Sequence, residues 1–155
     1  MRSKYAILNK KRRWLALQII SKETLNEQEI HALVNLYASV GWHGHTPENI
    51  TTIYKQSTHI LLAYHDEVLI GCGRALSDGV FNAAIYDVVV RPTYQRQGVG
   101  QRIVTHLVRD IGEVSCIHLI STLGNEAFYA QCGFRKLTTG MAIYQHPKLA
   151  TQYLE

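Results

Sequence analysis

The residues best suited to chemistry surround one glycine loop, Gln95-Arg96-Gln97-Gly98-Val99-Gly100. The apolar run Val88-Val89-Val90 precedes the loop, and an amphipathic helical pattern follows it. A strand that leads straight into a helix aims unpaired backbone N–H groups and the positive end of the helix dipole at one point. Gly98 and Gly100 let a ligand approach the backbone, and Arg96 adds positive charge. The pattern therefore predicts a loop that binds an anion such as a phosphate.

Two familiar nucleotide-binding loops do not fit this pattern. No Lys-Ser or Lys-Thr pair follows the glycines, as the phosphate loop of ATP- and GTP-binding proteins requires. The spacing differs from G-x-G-x-x-G, and no acidic residue follows about 20 residues later at a strand end, as dinucleotide binding requires. Two glycines alone predict only a tight turn, so the surrounding motifs must decide what the loop binds.

The surrounding motifs resemble those of the GNAT superfamily of N-acetyltransferases. Besides the loop, they include the run Phe128-Tyr129-x-x-Cys132-Gly133-Phe134 and the order of predicted elements over residues 25–145. The runs 74–90 and 109–112 are similar, more narrowly, to chloroplast-type serotonin (arylalkylamine) N-acetyltransferases and their bacterial relatives. The resemblance implies an enzyme that transfers an acetyl group from its co-substrate, acetyl-coenzyme A (acetyl-CoA), to a primary amine.

The same resemblance implies which residues bind the coenzyme. Backbone groups of the valine run would pair with the pantetheine amides, and one N–H group there would polarise the acetyl carbonyl. Residues 95–101 would hold the pyrophosphate, while Asn125 lies near, but not at, the place of the asparagine usual in the family. The predicted coenzyme ligands are Val88, Val89, Val90, Gln95, Arg96, Gln97, Gly98, Val99, Gly100, Gln101, Asn125 and Tyr129.

Acetyl transfer to an amine needs an acid and a base. By the resemblance, Tyr129 matches the tyrosine that protonates the leaving CoA thiolate, and a phenol with a pKa of about 10 suits a thiolate with a pKa of about 8.5. The attacking amine must first lose a proton, for which Asp87, directly before the valines, is the candidate base. Tyr94, just before the loop, is a second candidate, and a purely structural role for Asp87 is an equal alternative.

The histidines and cysteines predict neither a metal site nor a covalent intermediate. His43 and His45 could bind a metal as a pair, but no third ligand is identifiable, and acyl transfer to nitrogen needs no metal. None of Cys72, Cys116 and Cys132 has a charged neighbour that favours a nucleophilic thiolate. We therefore expect direct transfer within a ternary complex, without a metal.

Charge and aromatic residues suggest the acceptor. The formal net charge is +4, but six basic residues and no acid lie within residues 1–13, which leaves 10 Lys and Arg against 12 Asp and Glu, a net charge of −2. An acidic body attracts a cationic amine, and Trp42, Tyr86 and Tyr144 could form flat apolar walls around it. We expect a small aromatic or apolar primary amine, with polyamines, antibiotic amines and protein amino groups as open alternatives.

The basic arm, residues 1–13, is expected to be a solvated segment rather than a nucleic-acid contact. In a second hypothesis, the chain is a non-catalytic acyl-CoA sensor or interaction module whose basic arm contacts a partner or nucleic acid. Residues 10–20 imitate a secretory signal, but no small-residue cleavage site follows them, so we expect none.

Length and composition indicate one globular domain. The chain has 155 residues, of which 46% are hydrophobic and 18% charged. These values exclude collagen, coiled-coil and disordered classes, and the longest apolar runs fall short of the roughly 18 residues that a membrane helix needs. Three cysteines, an odd number, indicate reduced thiols. We expect a cytoplasmic protein spanning residues 1–155 as one domain, with a homodimer as the commonest oligomer.

Hydrophobic periodicity predicts the element order β-α-α-β-β-β-α-β-α-β-β. Helices are predicted from Asn26 to Gly41, from Thr46 towards Gln56, from Val99 to Gly112 and over 125–131. Strands are predicted over 14–20, 59–64, 68–75, 81–90, 117–120, 134–137 and 141–144. This order predicts an α/β (α+β) fold with a mixed, largely antiparallel GNAT-type sheet, helices on both faces, and a splay between strands 87–90 and 117–120.

Overall fold

A five-stranded mixed sheet forms the centre of the first of two compact units into which the chain divides, one ending at Leu119 and the other spanning Ile120–Glu155. The structure, a computed structural model, describes residues 17–155. The basic arm and the first three residues of the predicted first strand therefore lie outside the described residues. The extent of one domain over residues 1–155 stays a prediction.

The strands follow one another across the sheet in chain order. They are β1 (Leu17–Lys22), β2 (His59–His65), β3 (Val68–Ser77), β4 (Asn82–Val90) and β5 (Cys116–His118). Neighbouring strands are antiparallel except β4 and β5, which are parallel. A parallel pair needs a long crossover, and the segment from Arg91 to Ser115 supplies it. The predicted mixed, largely antiparallel sheet is confirmed.

Three helices of this unit begin where the sequence predicts. Asn26 and Glu29 form a reciprocal capping box at the start of α1 (Glu27–Ser39). Thr46 caps α2 (Pro47–Lys55), which has proline at its first position. Between β4 and β5, α3 (Val99–Ile111) begins after Gly98 and ends at Gly112.

Helices cover both faces of the sheet because side chains of β3 alternate between them. Cys72 is fully buried in the core cluster that α1 and α2 form with one face. Gly71 and Gly73 point to the other face, where a Cβ atom at Gly73 would lie 2.7 Å from Cγ2 of Ile103 in α3. The two glycines therefore let α3 pack directly on the backbone of β3, and the prediction of helices on both faces is confirmed.

The pairing of β4 with β5 ends early. The last paired residues are Ala84 and His118, whereas β4 continues to Val90. Among the described residues, the second half of β4 therefore has a strand partner only on its β3 side. This matches the expected splay beside residues 87–90, although β5 is shorter than the predicted strand 117–120.

The second unit differs most from the sequence prediction. It contains α4 (Glu126–Gln131), as predicted, and a second helix, α5 (Pro147–Tyr153), which was not predicted. The predictions of strands over 134–137 and 141–144 are wrong, since neither segment is a strand. Strand propensity needs a partner to form a ladder, and Met141 and Ile143 are more than 90% exposed. Proline at the first position of α5 was the overlooked helix signal.

Candidate functional site

The ladder between β3 and β4 is interrupted beside the candidate base. Cys72 pairs with Val89 and Arg74 with Tyr86, so that one residue of β3 faces two residues of β4. At this bulge Asp87 has a φ of 52°, in the left-handed region that non-glycine residues rarely adopt. The bulge takes the backbone at Asp87 out of the regular hydrogen-bonding pattern immediately before the valine run.

Arg74 holds the carboxylate of Asp87. The Nε atom of Arg74 donates to Oδ2 of Asp87 at 2.6 Å, and the two side chains are only 11% and 15% exposed. The same guanidinium lies over the ring of Tyr86, 4.9 Å from its centroid, and donates to Oγ of Ser57 at 3.4 Å. The carboxylate of Asp87 therefore has a positively charged partner within the protein. The guanidinium of that partner, Arg74, covers one face of the exposed ring of Tyr86.

The predicted anion loop leads directly from β4 into α3. Val88 and Val90 are half buried and Val89 is buried, whereas most of the loop lies at the surface. Gln95 donates from its side chain to the carbonyl of Val90 at 2.9 Å, which fixes the loop to the end of the strand. A second glutamine, Gln97, donates to the carbonyl of Thr93 at 2.9 Å. These two hydrogen bonds from side chain to backbone stabilise the conformation of the loop.

The start of α3 suits an anion. Gly98 precedes the helix with a φ of 81°, which glycine adopts without steric cost, and it has no side chain to cap the first N–H groups. Arg96 has a φ of 56°, and Gln101 is exposed on the first turn, next to Gly100. The pyrophosphate of acetyl-CoA, a dianion, fits uncapped N–H groups at a positive helix end.

Tyr94, the second candidate base, lies at the end of a short 3₁₀ turn, Pro92–Tyr94. Its hydroxyl is 3.4 Å from Nδ1 of His65, whose Nδ1 is also 3.6 Å from Oδ2 of Asp66. Tyr94 therefore has a histidine partner that could accept its proton. The sequence did not suggest this partner because 29 residues separate the two side chains.

Tyr129, the candidate acid, belongs to the second unit. It lies in α4, half buried, with its ring edge-on to the rings of Phe128 and Phe134. Burial, and to a smaller extent the nearby Cys132, raises the pKa of Tyr129 above its ordinary value. The phenol is accordingly protonated at neutral pH, the form that an acid requires.

Other residues of the second unit have local partners. Asn125 precedes α4 and donates from its side chain to Oγ1 of Thr122 at 2.6 Å, without capping the helix. Tyr144, a predicted acceptor wall, stacks on Tyr153 with ring centroids 5.4 Å apart. Both residues are therefore held by neighbours within this unit.

Trp42 packs against the core rather than lying fully exposed. It is partly buried against the cluster beneath α1 and stacks on Tyr37 and His45, with ring centroids 5.8 and 5.6 Å away. The ring of His45 is also parallel to that of Tyr37 at 4.2 Å. His43 is exposed, and residues 17–155 contain no group of three potential metal ligands.

The partners of Asp87 at the bulge are not predictable from the sequence alone. Arg74 comes next to Asp87 only through the register of two strands, and no local motif announces it. The buried hydroxyls of Tyr37 and Tyr54 lie 3.0 Å apart below the same point. Both residues lie in helices that the sequence predicts, but 17 residues separate them and nothing local indicates their contact. No helix among the described residues is both long and apolar enough to span a membrane.

Comparisons with known proteins agree on one family. The sequence profile of the Acetyltransferase (GNAT) family matches residues 27–134. The uncharacterized N-acetyltransferase ycf52 of Porphyra purpurea is 32% identical over 126 residues, 77% of this chain and 72% of that protein. Serotonin N-acetyltransferase 2, chloroplastic, of Oryza sativa subsp. japonica is 33% identical over 128 residues, 76% of this chain and 63% of that protein.

A solved structure supports the same relationship. A GNAT family acetyltransferase from Streptococcus pneumoniae TIGR4 superposes with a TM-score of 0.70 and 26% sequence identity. The match covers 84% of this chain and 99% of that structure. This chain therefore shares its fold with that family member.

Proposed function

Because this chain belongs to the acetyltransferase (GNAT) family and is an acyltransferase, we propose that it transfers the acetyl group of acetyl-CoA to a primary amine within a ternary complex. One observation carries the proposal: β4, freed from β5 beyond Ala84, leads through the loop to the uncapped start of α3 at Gly98. A free strand edge suits the pantetheine amides, and the helix start suits the pyrophosphate.

Few residues take part in the proposed acetyl transfer. The amine nitrogen attacks the acetyl carbonyl carbon, the bond from carbon to sulfur breaks, and the thiolate takes a proton. A backbone N–H group of the valine run stabilises the negative charge that develops on the carbonyl oxygen. Tyr129 gives the proton to the thiolate, and Asp87 removes one from the amine, directly or through water. Tyr94, backed by His65, is the second candidate for the base.

A small aromatic amine remains the acceptor we propose. The similarity to a serotonin N-acetyltransferase supports it, as does the exposed ring of Tyr86 two residues before Val88. Since Arg74 neutralises Asp87, attraction of a cationic amine depends on the remaining acidic residues rather than on that carboxylate. Trp42 is partly buried against the core, so Tyr86 is the more exposed of these two rings of the first unit.

We also propose a cellular location and an assembly state. All three cysteines are free, which suits a reducing compartment such as the cytoplasm. Relatives in plants have chloroplastic names, which are statements about those proteins. A homodimer is proposed only as the commonest oligomeric state of soluble proteins.

The test measures thiol release from acetyl-CoA across tryptamine-like amines, spermidine and a lysine peptide, together with calorimetric acetyl-CoA binding. Gly98→Glu should abolish binding, because a carboxylate would oppose the pyrophosphate and a side chain would strain a φ of 81°. Gly79→Glu, at an exposed glycine with a φ of 75° between β3 and β4, is the matched control and should bind acetyl-CoA like the wild type. Normal binding by Gly98→Glu would show that the loop assignment is wrong.

The catalytic arm of the test uses Tyr129→Phe. It should lower kcat by about tenfold to a hundredfold with little change in acetyl-CoA affinity, because only the proton donor is removed. An unchanged kcat would remove Tyr129 from the mechanism. Tight acetyl-CoA binding without turnover of any amine would instead favour a non-catalytic acyl-CoA sensor.

A further inference from the structure

A chain of buried polar groups ends at the carbonyl of Asp87. The hydroxyls of Tyr37 in α1 and Tyr54 in α2 are 3.0 Å apart, and both side chains belong to the buried cluster that contains Cys72 of β3. The thiol of Cys72 donates to the backbone carbonyl of Asp87 at 3.5 Å. Both tyrosines and the cysteine are at most 2% exposed, so water does not reach these polar groups.

The Cys72 thiol gives its only hydrogen to the carbonyl of Asp87, so its sulfur is left as an acceptor. In the bond between Tyr37 and Tyr54, either hydroxyl can be the donor. Burial raises the pKa of Cys72 to about 12, so the thiol keeps the proton that it donates and is no nucleophile at neutral pH.

Peptide geometry connects this chain to the other side of β4. In a trans peptide the C=O of one residue and the N–H of the next point in opposite directions. With the carbonyl of Asp87 directed at Cys72, the N–H of Val88 points away from β3. That is the side on which β4, beyond Ala84, has no strand partner among residues 17–155.

We propose that Cys72, buried in the same cluster as Tyr54 and Tyr37, is a positioning residue that orients the Asp87–Val88 peptide so that the N–H of Val88 faces the acetyl carbonyl oxygen. The inference rests on the proposed function, in which an N–H of the valine run stabilises the developing negative charge. It adds to that function a named donor and the buried device that aims it. A regular strand would direct this N–H into the sheet ladder, so the bulge and its anchor serve one purpose.

The experiment compares Cys72→Ala, which removes the donor, with Cys72→Ser, which keeps a hydroxyl donor at the same position. We expect Cys72→Ala to lower kcat by about threefold to tenfold, the range that one neutral hydrogen bond gives, while the dissociation constant for acetyl-CoA changes less than twofold. Cys72→Ser should restore kcat to within about threefold of the wild type. Leu62→Val, which shortens the fully buried side chain paired with Cys72, is the packing control and should leave kcat unchanged.

A second measurement does not depend on turnover. Acetyl-CoA is added without any amine, and the backbone amide resonance of Val88 is followed by NMR in the wild type and both variants. We expect acetyl-CoA to shift this resonance in the wild type and in Cys72→Ser, and much less in Cys72→Ala.

The outcomes separate the two hypotheses. A Val88 amide that responds equally in all three proteins, or a kcat that falls as much in Leu62→Val as in Cys72→Ala, would overturn the positioning role. If the wild type releases no thiol with any amine while the Val88 amide responds as expected, the proposed acetyl transfer fails and the anchoring of the bulge stands.

Discussion

At the scale of single residues, Asp87 has two possible tasks that its partner Arg74 makes separable. The 2.6 Å contact uses Oδ2 of Asp87 and leaves Oδ1 to take a proton from an amine. The carboxylate also compensates the charge of the nearly buried guanidinium of Arg74, which stabilises the fold. A substitution of Asp87 alone therefore mixes catalysis with the cost of an unpaired charge, about 3–5 kcal/mol for a buried pair.

The double variant Arg74→Gln/Asp87→Asn separates the effect on catalysis from the effect on stability. We expect Asp87→Asn to lower kcat/KM at pH 7 by about a hundredfold, the typical contribution of a general base, and to lower the melting temperature. The double variant should regain the melting temperature without regaining kcat/KM, because both charges are then gone and the base is still missing. Steady-state kinetics and thermal unfolding measure the two effects. Recovery of kcat/KM in the double variant would make Asp87 a structural residue and Tyr94 the base.

At the scale of elements, the placement of the predicted anion loop depends on how closely α3 lies on β3. A Cβ atom at Gly73 would be 2.7 Å from Cγ2 of Ile103 and 3.0 Å from Cδ1 of Leu107, both fully buried. Such contacts force the helix and strand apart, since neither side chain can leave the core.

Gly73→Ala is therefore expected to destabilise the protein by about 1–3 kcal/mol and to weaken acetyl-CoA binding, because the start of α3 moves with the helix. Urea unfolding and calorimetry measure the two effects. Gly44→Ala is the matched control, since its Cβ would meet nothing within 4 Å, and both quantities should stay near those of the wild type. If Gly73→Ala is destabilised but binds acetyl-CoA with wild-type affinity, the packing of α3 on β3 does not control the geometry of the loop.

At the scale of the whole molecule, the buried polar chain makes stability depend on alkaline pH. Burial raises the pKa of Tyr37 and Tyr54 above their ordinary value of 10, and that of Cys72 to about 12. The unfolded chain releases these protons first, from about pH 8.5 for the thiol and pH 10 for the phenols. The free energy of unfolding is therefore fully present below about pH 8.5 and falls as pH rises, by up to about 1.4 kcal/mol per pH unit for each group.

Tyr54→Phe isolates one of these groups. Urea unfolding between pH 7 and 11 should show a smaller loss of stability above pH 10 in Tyr54→Phe than in the wild type, because one phenol no longer titrates in the unfolded chain. Tyr86→Phe removes a phenol whose residue is 43% exposed and should keep the wild-type slope. Equal slopes for all three proteins would show that the buried hydroxyls do not control alkaline stability.

The sequence by itself determined what depends on neighbours along the chain. Asn26 and Thr46 mark helix starts through side-chain caps, and Gly98 marks one through its left-handed backbone conformation, because these signals act within four or five residues. A local pattern of the same kind predicts an anion site in the glycine loop after the valines. The family resemblance rested on the same short motifs and is confirmed by the match over residues 27–134. The assigned catalytic roles of Asp87 and Tyr129 stay predictions.

Only the tertiary structure decided what depends on strand register and burial. The bulge at Asp87, its ion pair with Arg74 and the thiol of Cys72 beneath it join residues 13 and 15 positions apart through the pairing of β3 with β4. Trp42, which the sequence analysis expects beside the acceptor, is partly buried against the core, because nothing local distinguishes an exposed ring from a packed one. The failed strand at 141–144 has the same cause: alternating apolar residues form a strand only where a partner strand supplies the hydrogen bonds.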